Sequence, residues 1–210
     1  TPDGYISGTF VRGKIHGPNG KTYIKDKFIK EGEFRDGSLW NGTLERLHCA
    51  TAKFNKKLVC VYVNGKLARG THVKKINKNL LVCDEGTYNE ESRLCGWGKR
   101  TFLDGAFCEG EFDNGVFIKG AIHLSSGKIM EGSFINGKLH GPGKCTRVSL
   151  KNPLLDISEE GEYENGALHG KGTRRLGNGT FQQGEFRKGI FFDGSSKLVF
   201  SAGYFEGVLV

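Results

Sequence analysis

The residues of this chain with the reach for catalysis or ligation are three recurring histidines, one run that looks like a phosphate loop, and six cysteines. His16, His140 and His169 recur in like settings, as Ile15-His16-Gly17, Leu139-His140-Gly141 and Leu168-His169-Gly170, and a row of imidazoles is a set that can hold a transition metal. Each is accounted for by its place in a repeat, and successive copies need not bring the rings within ligand distance. Gly17-Pro18-Asn19-Gly20-Lys21-Thr22 ends like a loop that cradles phosphate. Ile15 stands where the first glycine of such a loop is required and no helical pattern follows, so the run reads as a hairpin turn. Cys49, Cys60, Cys83, Cys95, Cys108 and Cys145 contain no CxxC pair and no histidine at zinc spacing. Reduced, half-buried thiols are the expectation, and a ladder of disulfides is the alternative. Asn41-Gly42-Thr43 and Asn178-Gly179-Thr180 match the glycosylation acceptor as by-products of abundant Asn-Gly turns. No nucleophile elbow or metal-binding helix is present, so no catalytic residue, metal or cofactor is assigned and the chain reads as a non-enzyme.

The elements that carry these residues repeat. A glycine, an aromatic two residues on and a second glycine three residues later occur at Gly8-Thr9-Phe10-Val11-Arg12-Gly13, Gly32-Glu33-Phe34-Arg35-Asp36-Gly37, Gly110-Glu111-Phe112-Asp113-Asn114-Gly115, Gly132-Ser133-Phe134-Ile135-Asn136-Gly137, Gly161-Glu162-Tyr163-Glu164-Asn165-Gly166 and Gly184-Glu185-Phe186-Arg187-Lys188-Gly189. Weaker copies stand at Cys60-Val61-Tyr62-Val63-Asn64-Gly65 and Gly86-Thr87-Tyr88, and a truncated one at Gly207-Val208-Leu209. A period of 22 to 29 residues is the mark of a stacked repeat. Asn-Gly and Asp-Gly doublets supply the positive φ values of tight hairpins, so each unit divides into two strands. The expected fold is all-β: an elongated, single-layer, twisted antiparallel sheet of stacked hairpins. Residues 1–210 form one array of about eight to nine units, degenerate over 45–81 and lengthened by a loop at 145–160.

Composition agrees with an array. Glycine fills 33 of 210 positions, roughly twice the usual ~7%, and its excess is periodic. The formal charge of +8, from 31 Lys and Arg against 23 Asp and Glu, is spread along the chain. Dispersed charge of this kind favours solubility and excludes a nucleic-acid stripe with interleaved stacking aromatics. No apolar run approaches the ~18 residues that span a bilayer, and no leader pattern opens the chain. The first residue is Thr1, as in a segment excised from a longer protein.

Strand alternation puts Gly32 and Phe34 on one face and Glu33 on the other. The aromatics at Phe10, Phe34, Tyr62, Tyr88, Phe112, Phe134, Tyr163 and Phe186 then form a ladder beside rows of glycine. A second apolar set, Tyr5, Ile29, Cys83, Phe107, Ile129, Phe181 and Tyr204, falls three residues before the lead glycine. That odd offset requires either a bulge near the glycine or a sheet apolar on both sides. The insert from Thr146 to Asp156 reads as an enlarged hairpin loop or a partner-docking loop, the latter because Leu150, Leu154 and Leu155 are costly to expose without use.

The segment Gly132 to Gly143, with Lys138-Leu139-His140-Gly141-Pro142-Gly143 at its end, resembles the MORN repeat, named for membrane occupation and recognition nexus. Gly161 to Gly172 and Gly8 to Gly17 carry similar endings. Units two, five and eight depart with longer forms such as Ser38-Leu39-Trp40-Asn41-Gly42 and Val116-Phe117-Ile118-Lys119-Gly120. The resemblance implies an aromatic-lined groove and interaction rather than catalysis, as in scaffolds of cytoskeletal or membrane-associated assemblies, and the expectation of reduced thiols adds a cytoplasmic location.

The expected function is therefore a scaffold that holds a helical or extended partner segment along the groove. Its lining would be Phe10, Phe34, Tyr88, Phe112, Phe134, Tyr163 and Phe186, with Trp40 and Trp97 as anchors at unit edges. The alternatives are a peripheral module for anionic phospholipid and a structural protein that pairs end to end as a homodimer or filament.

Overall fold

A computed structural model describes residues 3–46, 58–77, 80–149, 151–200 and 203–209. Two units divide the chain, Thr1–Leu103 with Phe112–Val116 and Asp104–Glu111 with Phe117–Val210. In the first, the strands Gly4–Ser7, Gly17–Ile24, Phe28–Arg35, Ser38–Arg46, Leu58–Val63, Lys66–Asn77, Leu80–Tyr88 and Leu94–Phe102 pair antiparallel in that order. Phe10–Val11 and Lys14–Ile15 form a short separate hairpin. In the second, Val116–His123, Lys128–Ile135, Lys138–Arg147, Ile157–Glu164, Ala167–Leu176, Phe181–Arg187, Ile190–Phe200 and Gly203–Leu209 follow the same meander. The only helix among the described residues is the single 3₁₀ turn Pro153–Leu155, and none is long and apolar enough to cross a membrane.

The doublets form the turns that their chemistry demands. Asp36, Asn64, Asn114, Asn136 and Asn165 have φ of 48 to 52°, and the glycine after each has φ of 73 to 87°, the pair of positive values that matches a tight turn to the strand twist. The turn glycine also joins one hairpin to the preceding one. Gly37 N–H donates to Ile15 O at 2.9 Å, Gly166 to Leu139 O at 2.8 Å and Gly189 to Leu168 O at 2.8 Å.

Register settles the odd offset. The extra residues sit on the return strand of each hairpin: Phe34 pairs with Leu39 and Glu33 with Asn41, so Trp40 is left over. The leading strand stays regular, hence Ile29 and Phe34 lie on opposite faces and the sheet is apolar on both sides. Ring contacts mark the second face: Phe107 stacks on His123 at 4.3 Å and Arg175 lies 4.6 Å from the Phe181 ring. The endings read as longer forms are one residue shorter in register. Leu39 is followed by paired Gly42, Leu139 by paired Gly143 and Leu168 by paired Gly172. A His-Gly-x-Gly ending thus inserts two residues into the ladder where the variant units insert one.

Core packing follows from the glycines. A Cβ on Gly20 would collide with the Phe34 ring and Ile15, and one on Gly132, Gly143 or Gly172 with Leu139 or Leu168. Ile15, Leu39, Leu67, Leu94, Leu139 and Leu168 are buried. They form a second apolar row, and fully burying each such side chain contributes about 1.5–3 kcal/mol.

Candidate functional site

Nine aromatics are the sequence-derived site, and the structure sorts them into two groups. Phe34, Tyr88, Phe112, Phe134, Tyr163 and Phe186 are buried, Phe34 and Phe186 to 0% exposure. In the second unit Phe134, Tyr163 and Phe186 share one cluster with Leu139, Leu168 and Cys145, against which Phe117, Met130 and Phe191 pack. These rings offer a partner almost no area. The expected aromatic groove is therefore core at these six positions: Phe34, Tyr88, Phe134 and Tyr163 each pair with a buried return-strand leucine, and Phe186 pairs with Phe191. Phe10 and Trp97 are exposed, Trp97 to 67% between Gly96 and Gly98. Trp40 is half-buried, with the Arg35 guanidinium 4.3 Å from its ring, a cation–π contact.

Polar groups on the ring-bearing face form a recurring clamp that residue spacing did not reveal. Arg100 donates from Nε to Asp84 Oδ1 at 2.7 Å, from Nη2 to Asp84 Oδ2 at 2.9 Å and from Nη1 to Gly115 O at 2.9 Å. Its guanidinium lies 5.3 Å from the Phe112 ring, and Tyr88 Oη donates to the Asp84 carbonyl at 2.8 Å. The second unit repeats the set: Arg174 holds Glu159 at 2.7 Å and Gly189 O at 2.6 Å, lies 5.1 Å from Phe186, and Tyr163 Oη donates to Glu159 O at 3.2 Å. Burial, and then the neighbouring Asp84 or Glu159 charge, raises the Tyr88 and Tyr163 hydroxyls well above the usual tyrosine range. The sequence signal was an acid four residues before the ladder tyrosine.

His16 and His169 serve the hairpin junctions. His16 Nδ1 accepts from Asp36 N at 3.3 Å and His169 Nδ1 from Lys188 N at 3.4 Å, each the residue before a turn glycine. Among the described residues no three His, Cys, Asp or Glu side chains meet as a metal would need. Cys60, Cys83, Cys95, Cys108 and Cys145 are free thiols, and burial raises the Cys60 and Cys145 thiols. Cys49 lies outside the described residues.

Two features of the second unit are open. On the face away from the buried rings, a trough of about 700 Å³ crosses the paired glycines Gly161, Gly172, Gly184 and Gly194. Glu160, Glu185 and Asp193 line it with Lys171 and Arg175, so its charge is mixed. Ser158 and Arg175 are shared with a smaller recess beside the 145–160 loop, which also takes in Val148 and Leu176. That loop shows Leu154 and Leu155 at 60% and 61% exposure, and it is fixed by its own hydrogen bonds. Ser149 N donates to Asp156 Oδ1 at 2.6 Å, Leu154 N to Asn152 Oδ1 at 3.0 Å and Gly177 N to Asp156 O at 2.8 Å. Leu150 lies outside the described residues.

A family model described as MORN repeat matches residues 7–18, 131–149 and 160–181. No curated protein matches the chain. MORN repeats are non-enzymatic modules of protein and membrane interaction. The matched segments fall on hairpins with the same turns, the same glycine-covering leucine or isoleucine and the same link to the next turn, and at these three segments the chain matches the MORN repeat.

Proposed function

We propose that this chain is a non-enzymatic protein-interaction module whose second unit holds an extended or helical partner segment, with Leu154 and Leu155 as the anchor and the adjoining trough as the track. The observation that carries this reading is the fixed display of two exposed leucines. Burying such a side chain contributes about 1.5–3 kcal/mol, and a loop already ordered by its own hydrogen bonds loses little entropy when it docks. The trough continues from the loop-side recess through Ser158 and Arg175. Its glycine floor leaves room for a backbone, and its mixed charge suits a polypeptide better than an anionic membrane.

The test is quantitative affinity capture from a lysate of the source organism, comparing the unaltered chain with Leu154→Ser/Leu155→Ser and with Gln183→Trp, which obstructs the trough. The expected result is at least tenfold less of one captured protein with either variant. Stability of the leucine variant should stay within about 0.5 kcal/mol, since both side chains are exposed. Equal capture of every protein by all three chains would refute the assignment.

A further inference from the structure

The first unit carries a recess of about 570 Å³ whose chemistry differs from that of the trough. Leu39 and Leu44, both buried, form its floor, with half-buried Phe28 and Tyr62 alongside. Lys27, Lys30 and Arg46 also line it, and the only carboxylate there is Asp26. None of the three cations has a carboxylate partner among the described residues. The Lys30 ammonium rests 5.2 Å from the Phe28 ring centroid.

Register shows what is unusual here. Lys30 pairs with Leu44 two residues before the glycine pair Gly32 and Gly42, and in the second unit Met130 pairs with Cys145 two residues before Gly132 and Gly143. Met130 packs on the core. The clamps also put a charge at that position but face it with its counter-ion, Asp84 opposite Arg100 and Glu159 opposite Arg174, whereas Lys30 faces Leu44, an apolar floor beside which a charge is unfavourable unless it finds a counter-ion. Arg46 pairs with Phe28, so it is the diagonal neighbour of Lys30 on the same face, at about 7–8 Å, within reach of one shared anion for two long side chains.

We propose that this recess binds an acidic segment of a partner protein, with a carboxylate side chain between Lys30 and Arg46 and an adjacent apolar side chain on Leu39 and Leu44. Charge complementarity selects the acid, because the lining carries three cations against one carboxylate. The recessed floor selects a polypeptide over a lipid surface: an inserted side chain reaches Leu39 and Leu44, whereas a plane of headgroups meets the cations and leaves the floor uncovered. The site is separate from the loop and trough of the second unit and does not depend on them.

The probe is a phage-displayed library of 12-residue peptides selected on the whole chain, on Lys30→Met/Arg46→Gln, and on Leu154→Ser/Leu155→Ser. Enrichment of Asp or Glu next to Leu, Ile or Phe is expected on the unaltered chain and on the leucine variant, and its loss on the Lys30/Arg46 variant. One enriched peptide should then bind at least tenfold more weakly to that variant and to a charge-reversal control, Arg46→Glu, with circular dichroism showing the fold intact. Failure to enrich acidic sequences, or the same enrichment on all chains, would overturn the proposal. So would cation-dependent binding of phosphatidylserine vesicles without peptide enrichment, which would give the recess to lipid.

Discussion

Removing the Asp84 carboxylate tests how much the buried clamp holds. Asp84 is at 0% exposure and occupies two donors of Arg100, itself almost buried. Asp84→Ala leaves the guanidinium buried with Gly115 O as its remaining partner in the clamp, and stranding one charge of a buried pair costs about 3–5 kcal/mol. The second unit supplies an internal control with the same chemistry and more water. The Arg174 and Glu159 side chains are 20% and 18% exposed, so Glu159→Ala should cost about 1.5–2 kcal/mol, as for a charge-assisted hydrogen bond. Urea denaturation measures both. Trp40 and Trp97 lie in the first unit, so tryptophan fluorescence reports the unit that holds Asp84, and far-UV circular dichroism reports either. At an m-value of about 2 kcal/mol/M the Asp84 variant should lose about 2 M in midpoint. Asp84→Leu/Arg100→Met, which removes both charges, should recover most of the loss, since apolar replacement of a buried pair is often neutral. The reasoning fails if Asp84→Ala costs no more than Glu159→Ala, or if the apolar pair is as unstable as Asp84→Ala alone.

Two further outcomes follow from the backbone and the buried hydroxyls. Gly42, at φ +146°, faces the Glu31 carbonyl so closely that a Cβ would fall on it, whereas nothing lies within 4 Å of a Cβ on Gly137 at φ +73°. Gly42→Ala should therefore cost about 3–4 kcal/mol in thermal denaturation and Gly137→Ala about 1–2; equal losses would contradict the packing argument. Tyr163 has its folded-state ionisation raised, so its contribution to stability is whole below the unfolded value of about 10 and declines as pH climbs above it. Tyr163→Phe should move the alkaline unfolding midpoint upward, and an unchanged midpoint would show that this hydroxyl is not what fails.

Much of the architecture was legible because it rests on local chemistry. Asn136-Gly137 and its counterparts can form only a few kinds of turn, and a strand that repeats Gly-x-Phe between such turns has its faces fixed by alternation. The row Ile15, Leu39, Leu139 and Leu168 carried a signal that the repeat pattern had not singled out, each standing two residues after a turn glycine. The site was less legible. Phe34 and Phe186 looked like groove-lining rings because their spacing states which face they share and not what covers that face. The cover comes from the return strand, Leu39 over Phe34 and Phe191 over Phe186, across registers shifted by Trp40 and by Phe192.

What the sequence by itself determined, then, is the period, the turns, the all-β class and the match of three segments to the MORN repeat, since each depends on residues within one hairpin. Tertiary structure decided which apolar residues are core, where the Arg100 and Arg174 clamps close, and that Leu154, Leu155 and the Lys30–Arg46 recess stay open. Those outcomes depend on pairing between strands, where insertion of one residue or two into the return strand sets which side chains meet.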